Sequence, residues 1–327
     1  MVRLLFIMAH SITFDLHSHV IERRVKGTDY WKEAEKRKIQ VMAMTEHAHF
    51  WPEKAFEIVA KYKPKNKILI PGIELNTNIG HVLCYSPSKK IYQEKKWLEY
   101  GLPIEEAAQL AEKHGCALSC AHPWGFQYDS AAFLIGPKKL TKLVKRHELG
   151  IEAYNGMVGH LSDIIFESGW VRRPVNFLDF LEKNKVTRKI GLSRVGKKMQ
   201  NKVEKSIWNT LARISAGIAI GEKAPFITAG SDAHTADRIG EAMLKANPPK
   251  KRLSTKTAFE LFQQKNQVTW CGVGVEETSS GVYKKIPRTK LKRWELWDSV
   301  KYATKRTMSE RVWKKIKRKK KEEKNEV

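Results

Sequence analysis

Asp15, His17 and His19 occupy alternate positions in "FDLHSHV", directly after a mostly apolar stretch. Side chains two apart on an extended chain share a face. Two imidazoles at a strand end could therefore grip one divalent cation, with Asp15 accepting a hydrogen bond from one ring. The same residue types close other apolar runs. Glu46 and His47 end "QVMAMTEH", with His49 just beyond; Glu74 ends "LIPGIEL"; His122 ends "ALSCAH"; Asp232 and His234 end "FITAGSDAH". His81 instead begins "HVLCY". The preceding "NTNIG" reads as a turn, and a hairpin there returns His81 towards Glu74. A lone histidine at a strand end is ordinarily just a polar residue near the surface. Six of the 11 histidines (17, 19, 47, 81, 122 and 234) in such positions, with Glu74 and Asp232 among them, form a pattern that chance explains poorly. Imidazole and carboxylate together suit zinc, manganese or iron, and Glu74 has two oxygens with which to bridge two ions.

Those residues are useful only if the fold gathers them. Apolar runs such as "KILIPGIEL", "CALSCAHP" and "VTWCGVG" alternate with amphipathic segments such as "TDYWKEAEKRK", "PEKAFEIVAKY", "LPIEEAAQLAEKHG" and "STKTAFELFQQKN". Thr28 or Asp29 could cap the first helix, Pro52 suits the first turn of the second, and Gly115 a left-handed end of the third. Such alternation implies an α/β fold with parallel strands and helices outside. About seven repeats of the unit could close into a TIM-like barrel. The carboxyl ends of its strands then share one rim, where active sites are built. The pattern lapses between about 157 and 222, a mainly helical and very basic stretch read as an insertion. Residues 1–285 are thus expected to form the barrel, and 286–327 a basic helical C-terminal extension.

The 327-residue chain is 42% hydrophobic, enough for a sizeable core, and 61 Lys plus Arg against 35 Asp plus Glu give it a net charge of +26. That field attracts phosphates and nucleic acids without specifying either. No run reaches the ~18 apolar residues of a membrane span, so a cytoplasmic protein without membrane partners is expected. The four cysteines lack zinc-type pairing and read as reduced thiols. No G-x-S-x-G elbow or phosphate-binding P-loop occurs. Oligomeric state is not legible.

The motifs "DLHSH", "TEH", "PGIEL", "GHVLCY", "CAHP", "IEAYNG" and "GSDAH", in this order from about 15 to 234, resemble the polymerase and histidinol phosphatase (PHP) family of metal-dependent phosphoesterases. The resemblance implies a distorted (β/α)7 barrel with two or three divalent cations (Mn, Zn or Fe). It puts His17, His19, His47, Glu74, His81, His122, Asp232 and His234 in the ligand positions, with Glu74 the bridge. The usual "TDH" is "TEH" here. Arg24 and Val25 stand where many relatives carry a further Asp or His; Glu22 and Asp29 are nearby carboxylates. The implied reaction is hydrolysis of a phosphomonoester or phosphodiester, on a phosphorylated small molecule or nucleotide, by a metal-activated water. Glu74, Asp232 and His234 are its candidate catalytic residues, and His234 or His49 could protonate the leaving oxygen. Arg23, Arg24 and Lys26 are candidate contacts to substrate phosphate, and Asp15 and His49 candidate supports of the ligands. A nuclease that holds nucleic acid on the basic insertion and tail, and a non-catalytic metal- or nucleic-acid-binding module, are the alternatives.

Overall fold

A computed structural model describes residues 11–123, 129–159, 220–272, 275–277 and 283–285. The expected insertion (157–222) falls almost wholly, and the expected extension (286–327) wholly, outside these residues. So do His10 and His160. The chain begins β1 (Ile12–Asp15), α1 (Gly27–Lys36), β2 (Val41–Met44), α2 (Pro52–Ala60), β3 (Ile68–Thr77), β4 (Gly80–Tyr85), α3 (Ile104–His114) and β5 (Ala117–Cys120). It continues with α4 (Ala131–Ile135), α5 (Pro137–Arg146), β6 (Gly150–Asn155), β7 (Ile227–Gly230), β8 (Ala242–Ala246), α6 (Thr255–Phe262), β9 (Val268–Gly272), β10 (Val275–Glu277) and β11 (Tyr283–Lys285).

Local signals account for the helix ends. Pro52 sits in the first turn of α2, where its missing N–H costs nothing. Gly115 closes α3 in the left-handed conformation, φ 63°. Ser254 and Thr257 form a reciprocal capping box at the start of α6. The expected Thr28 or Asp29 cap is not used. The first helix starts earlier, at Gly27, where a Cβ would stand 2.4 Å from the Ile58 carbonyl oxygen; close packing against α2 fixes that start.

The eleven strands among the described residues join one mixed sheet, in the order β11-β10-β9-β8-β1-β2-β3-β4-β5-β6-β7. Parallel pairs are β1–β2, β2–β3, β5–β6 and β6–β7. The expected hairpin is present: β4 runs antiparallel to β3, and also to β5. Beyond that hairpin, the expectation of parallel strands needs correction at the other end of the sheet. There β8 lies antiparallel to β1, and β9, β10 and β11 follow antiparallel. The sheet curls until β7 nearly meets β1. Leu16 N donates to Ala229 O (3.2 Å), Asp232 N to His17 O (2.7 Å) and His19 N to Ala233 O (2.9 Å).

Closure buries both faces of β2, β5 and β6. In β2, Val41 and Ala43 join Phe14, Leu16, Ile70 and Leu83 in the interior cluster, while Met42 and Met44 pack outward against Tyr30, Trp31 and Phe56 from the helices. The seam beside β1 is tight. A Cβ on Gly230 would lie 2.3 Å from His17 N and 2.4 Å from His17 Cβ. Gly230→Ala must therefore push the rim of β1 away. It is expected to destabilise the protein by about 1–3 kcal/mol, the usual range for overpacking. Urea unfolding measures this, and wild-type stability would mean that the seam is looser than it stands.

Candidate metal centre

Glu74, near the end of β3, is the hub of a buried cluster at the rim. His81 Nδ1 lies 2.8 Å and His122 Nε2 3.2 Å from Glu74 Oε1, with His17 Nε2 at 3.6 Å. The other oxygen, Oε2, is 2.7 Å from His47 Nδ1 and 3.5 Å from His19 Nε2. Asp232 approaches from the β7 side, its Oδ1 at 3.2 Å from His19 Nε2 and 3.5 Å from His17 Nε2. The His234 ring is 4.4 Å from that of His19. All eight residues that the resemblance puts in ligand positions are thus brought together. They supply three overlapping triads: His17, His19 and Asp232; His47, Glu74 and His81; and His19, His47 and His234. In each, the donor atoms lie within 4.8 Å of one another.

Donor chemistry can be tested against a cation without placing one. His17 Nε2, His19 Nε2, His47 Nδ1 and Glu74 Oε2 are buried and make no hydrogen bond. Although His47 Nδ1 and Glu74 Oε2 are close, they are not aligned as donor and acceptor. Leaving such atoms unpaired is costly, and protein interiors rarely do it. Two donors ~2.1 Å from one ion stand about 3–3.5 Å apart, close to the spacings found. The residues fit divalent cations.

The far sides of the rings are held. Glu152, in β6, accepts from His17 Nδ1 (2.9 Å), the His122 backbone N–H (2.6 Å) and Asn155 Nδ2 (3.0 Å), and Asn155 Nδ2 also reaches Asp232 Oδ2 (3.2 Å). Glu46 pairs with His19 Nδ1 (3.3 Å) and accepts from the Val20 and Ile21 backbone (2.8 and 2.7 Å). A carboxylate on one ring nitrogen turns the other towards the cluster. Both His122 (φ 26°) and Asp232 (φ 52°) adopt left-handed backbone conformations, which non-glycine residues avoid unless their surroundings enforce them.

Electrostatics follow from this crowding. Burial opposes charge on His19, yet Asp232, Glu46 and Glu74 raise its pKa to about 10, and Asp232, Glu152 and Glu74 lift His17 in the same direction. Burial would raise the pKa of Glu74 and Asp232, but the surrounding imidazoles hold both well below the carboxylate range. His47 falls to about 4, because burial and the neighbouring His19 and His81 outweigh Glu74.

Asp15 needs correction. It touches no imidazole ring. Its carboxylate accepts from Ser231 N (2.8 Å), Ser231 Oγ (2.6 Å), Gly240 N (2.8 Å) and the His17 backbone N–H (3.3 Å), tying β1 to the segment after β7. The strand ends at Asp15, so the alternation argument does not extend to His17 and His19. Burial raises this carboxyl to about 6, against the opposing Ser231 and Gly240 bonds. His49 is exposed, its ring 5.3 Å from His47, and its Nδ1 faces Asn76 Nδ2 at 3.3 Å. Arg23, Arg24 and Lys26 are exposed on the turn leading into α1. The same turn carries Glu22, whose Oε2 meets His234 Nε2 at 3.1 Å and whose pKa falls to about 2, chiefly through that contact.

The fold has a counterpart among solved structures. The chain is similar to the crystal structure of PsfC from Pseudomonas syringae PB-5123, with a TM-score of 0.51 and 12% identity over 80% of this chain and 92% of that one. At that identity the likeness concerns the fold alone. No family model and no curated protein matches the chain. No helix among the described residues is long and apolar enough to cross a membrane.

Proposed function

We propose that this chain is a metal-dependent phosphoesterase, a distorted (β/α)7 barrel of the PHP type that hydrolyses a phosphomonoester or phosphodiester. The observation that carries the reading is the convergence of five imidazoles on Glu74, with Asp232 beside His17 and His19, His234 beside His19, and buried donor atoms left unpaired. Two or more divalent cations (Mn, Zn or Fe) bound there would lower the pKa of a water from ~15.7 towards ~7 and draw charge from the phosphoryl oxygens. The chain's own part is positional. Glu152 and Glu46 fix the rings of His17 and His19, and Glu74 presents one oxygen to each half of the cluster. His234, anchored by Glu22 and the Asp232 carbonyl, and the exposed His49 stand at the rim, where a leaving oxygen takes its proton. Arg23, Arg24 and Lys26 give the turn beside His234 a positive face for substrate phosphate.

Turnover of an aryl phosphate and of a diester analogue with added manganese tests this. The paired substitution Asp232→Ala with His234→Ala is expected to reduce the rate by at least ~10²-fold, as loss of preorganised charge stabilisation does. A double variant as fast as the parent would remove the site assignment. The nuclease reading rests on the +26 charge. It requires labelled DNA or RNA to be retarded at low salt and released steeply as salt rises.

A further inference from the structure

Aromatic residues outside the candidate ligand set follow directly on His47. Phe50, half-buried, has its ring 4.2 Å from His49 and 5.9 Å from His47. Trp51 follows it, 67% exposed, and Lys54 Nζ lies 5.8 Å over its ring. Tyr100 is 72% exposed. Its neighbour Gly101 donates to the Asn76 carbonyl (2.9 Å). The side chain of Asn76 faces His49, and the residue pairs with His81 in the β3–β4 register. Trp51 and Tyr100 thus sit on segments tethered to the strand end that carries Glu74.

Core packing does not explain Trp51. Its indole is mostly in water, and it makes no side-chain cap to α2. Its backbone stands at φ 49°, ψ 67°, a left-handed conformation that glycine or asparagine adopts readily and a bulky residue does not. A large ring kept in a strained position, in water, four residues from His47 and under a lysine ammonium, suits a planar ligand carrying negative charge.

Resting on the phosphoesterase reading, we infer that His49, Phe50 and Trp51 form a stacking shelf for a nucleobase. The phosphoester is then that of a nucleotide, free or at the end of a single strand. The shelf supplies a stacking surface, which accepts any base because every base has a π-face.

Binding of adenosine, which has no phosphate to hydrolyse, isolates the shelf from the chemistry. Calorimetry and saturation-transfer NMR on the metal-loaded full chain should show adenosine bound and ribose not. Trp51→Asn suits the left-handed backbone, so its thermal midpoint should equal or exceed the parent's while adenosine affinity falls about tenfold. Trp51→Phe should retain most of it. Adenosine binding no better than ribose, or unchanged in Trp51→Asn, overturns the shelf. Turnover separates the two sources. Higher kcat/KM for adenosine 5′-monophosphate or for a 5′-phosphorylated oligoadenylate than for ribose 5-phosphate supports the shelf, and the preferred one tells free nucleotide from strand end. Adenosine binding that depends on Trp51 without hydrolysis of any phosphate would keep the shelf and remove the phosphoesterase reading.

Discussion

Glu74→Gln is expected to empty the metal centre and to destabilise the metal-free protein together. The substitution keeps the volume of a fully buried side chain but removes the charge shared by five imidazoles: His17, His19, His47, His81 and His122. In the metal-free chain Glu74 is the leading carboxylate that raises the pKa of His81 against its burial, and it adds to the larger effects of Asp232 and Glu152 on His17 and of Asp232 and Glu46 on His19. Removing one partner of a buried charge pair costs about 3–5 kcal/mol, since the remaining charge is left without compensation. Urea unfolding in excess chelator measures that loss. Elemental analysis of the manganese-loaded proteins measures the other half, with about two or three ions per chain expected in the parent and about none in the variant. Equal stability in chelator would mean that the imidazoles are neutral and Glu74 is no counter-charge. Equal metal content would place the cations away from Glu74.

Sequence and structure diverge at identifiable places. The rim ligands were legible because each follows an apolar run and is an unusual residue type there. His81 was legible only through the turn "NTNIG", which the β3–β4 hairpin contains. The buried partners of the rings were harder to find. Glu152 lies inside β6, every residue of which is buried. A carboxylate there looks like a core anomaly, and that anomaly was the available signal: a fully buried charge needs a partner. Glu46 was visible beside His47, but nothing local says that it reaches back to His19 and the Val20 and Ile21 amides. Asp15 misleads for the opposite reason. Its spacing from His17 and His19 suggests a shared face, but the strand ends at Asp15, and three donors from beyond β7 capture it. The strand β8, "AMLKA", alternates buried and half-buried residues. It escaped notice because Gly240 and the "NPPK" that follows give the stretch a loop-like composition.

Stripping the cations should make stability depend on pH in both directions, and restoring them should help most at high pH. His19 in the folded, metal-free chain has its pKa raised from 6.5 to about 10. The folded state therefore keeps a proton that the unfolded chain releases. The stability from that proton is complete below about pH 6.5 and is lost as pH rises towards 10. On the acid side, Glu46 and Glu22 fall from 4.5 to about 2, by His19 and backbone donors for Glu46 and by His234 for Glu22. Their contribution is complete above pH 4.5 and is lost as pH drops towards 2. His47, lowered from 6.5 to about 4, starts the acid loss earlier. Asp15, raised from 3.8 to about 6, works against it between those values. Thermal unfolding in chelator should accordingly peak between the two limbs. A cation replaces the protons on His17 and His19, so each displaced proton should raise its affinity about tenfold per pH unit. At 1,000 times Kd a ligand adds about 4 kcal/mol. The midpoint gained on adding manganese should then be larger at pH 8 than at pH 6, and calorimetry in two buffers of different ionisation enthalpy should register the released protons. A gain independent of pH, with no proton release, would mean that cations bind outside the cluster around Glu74, because these imidazoles cannot take up a metal while they keep their protons.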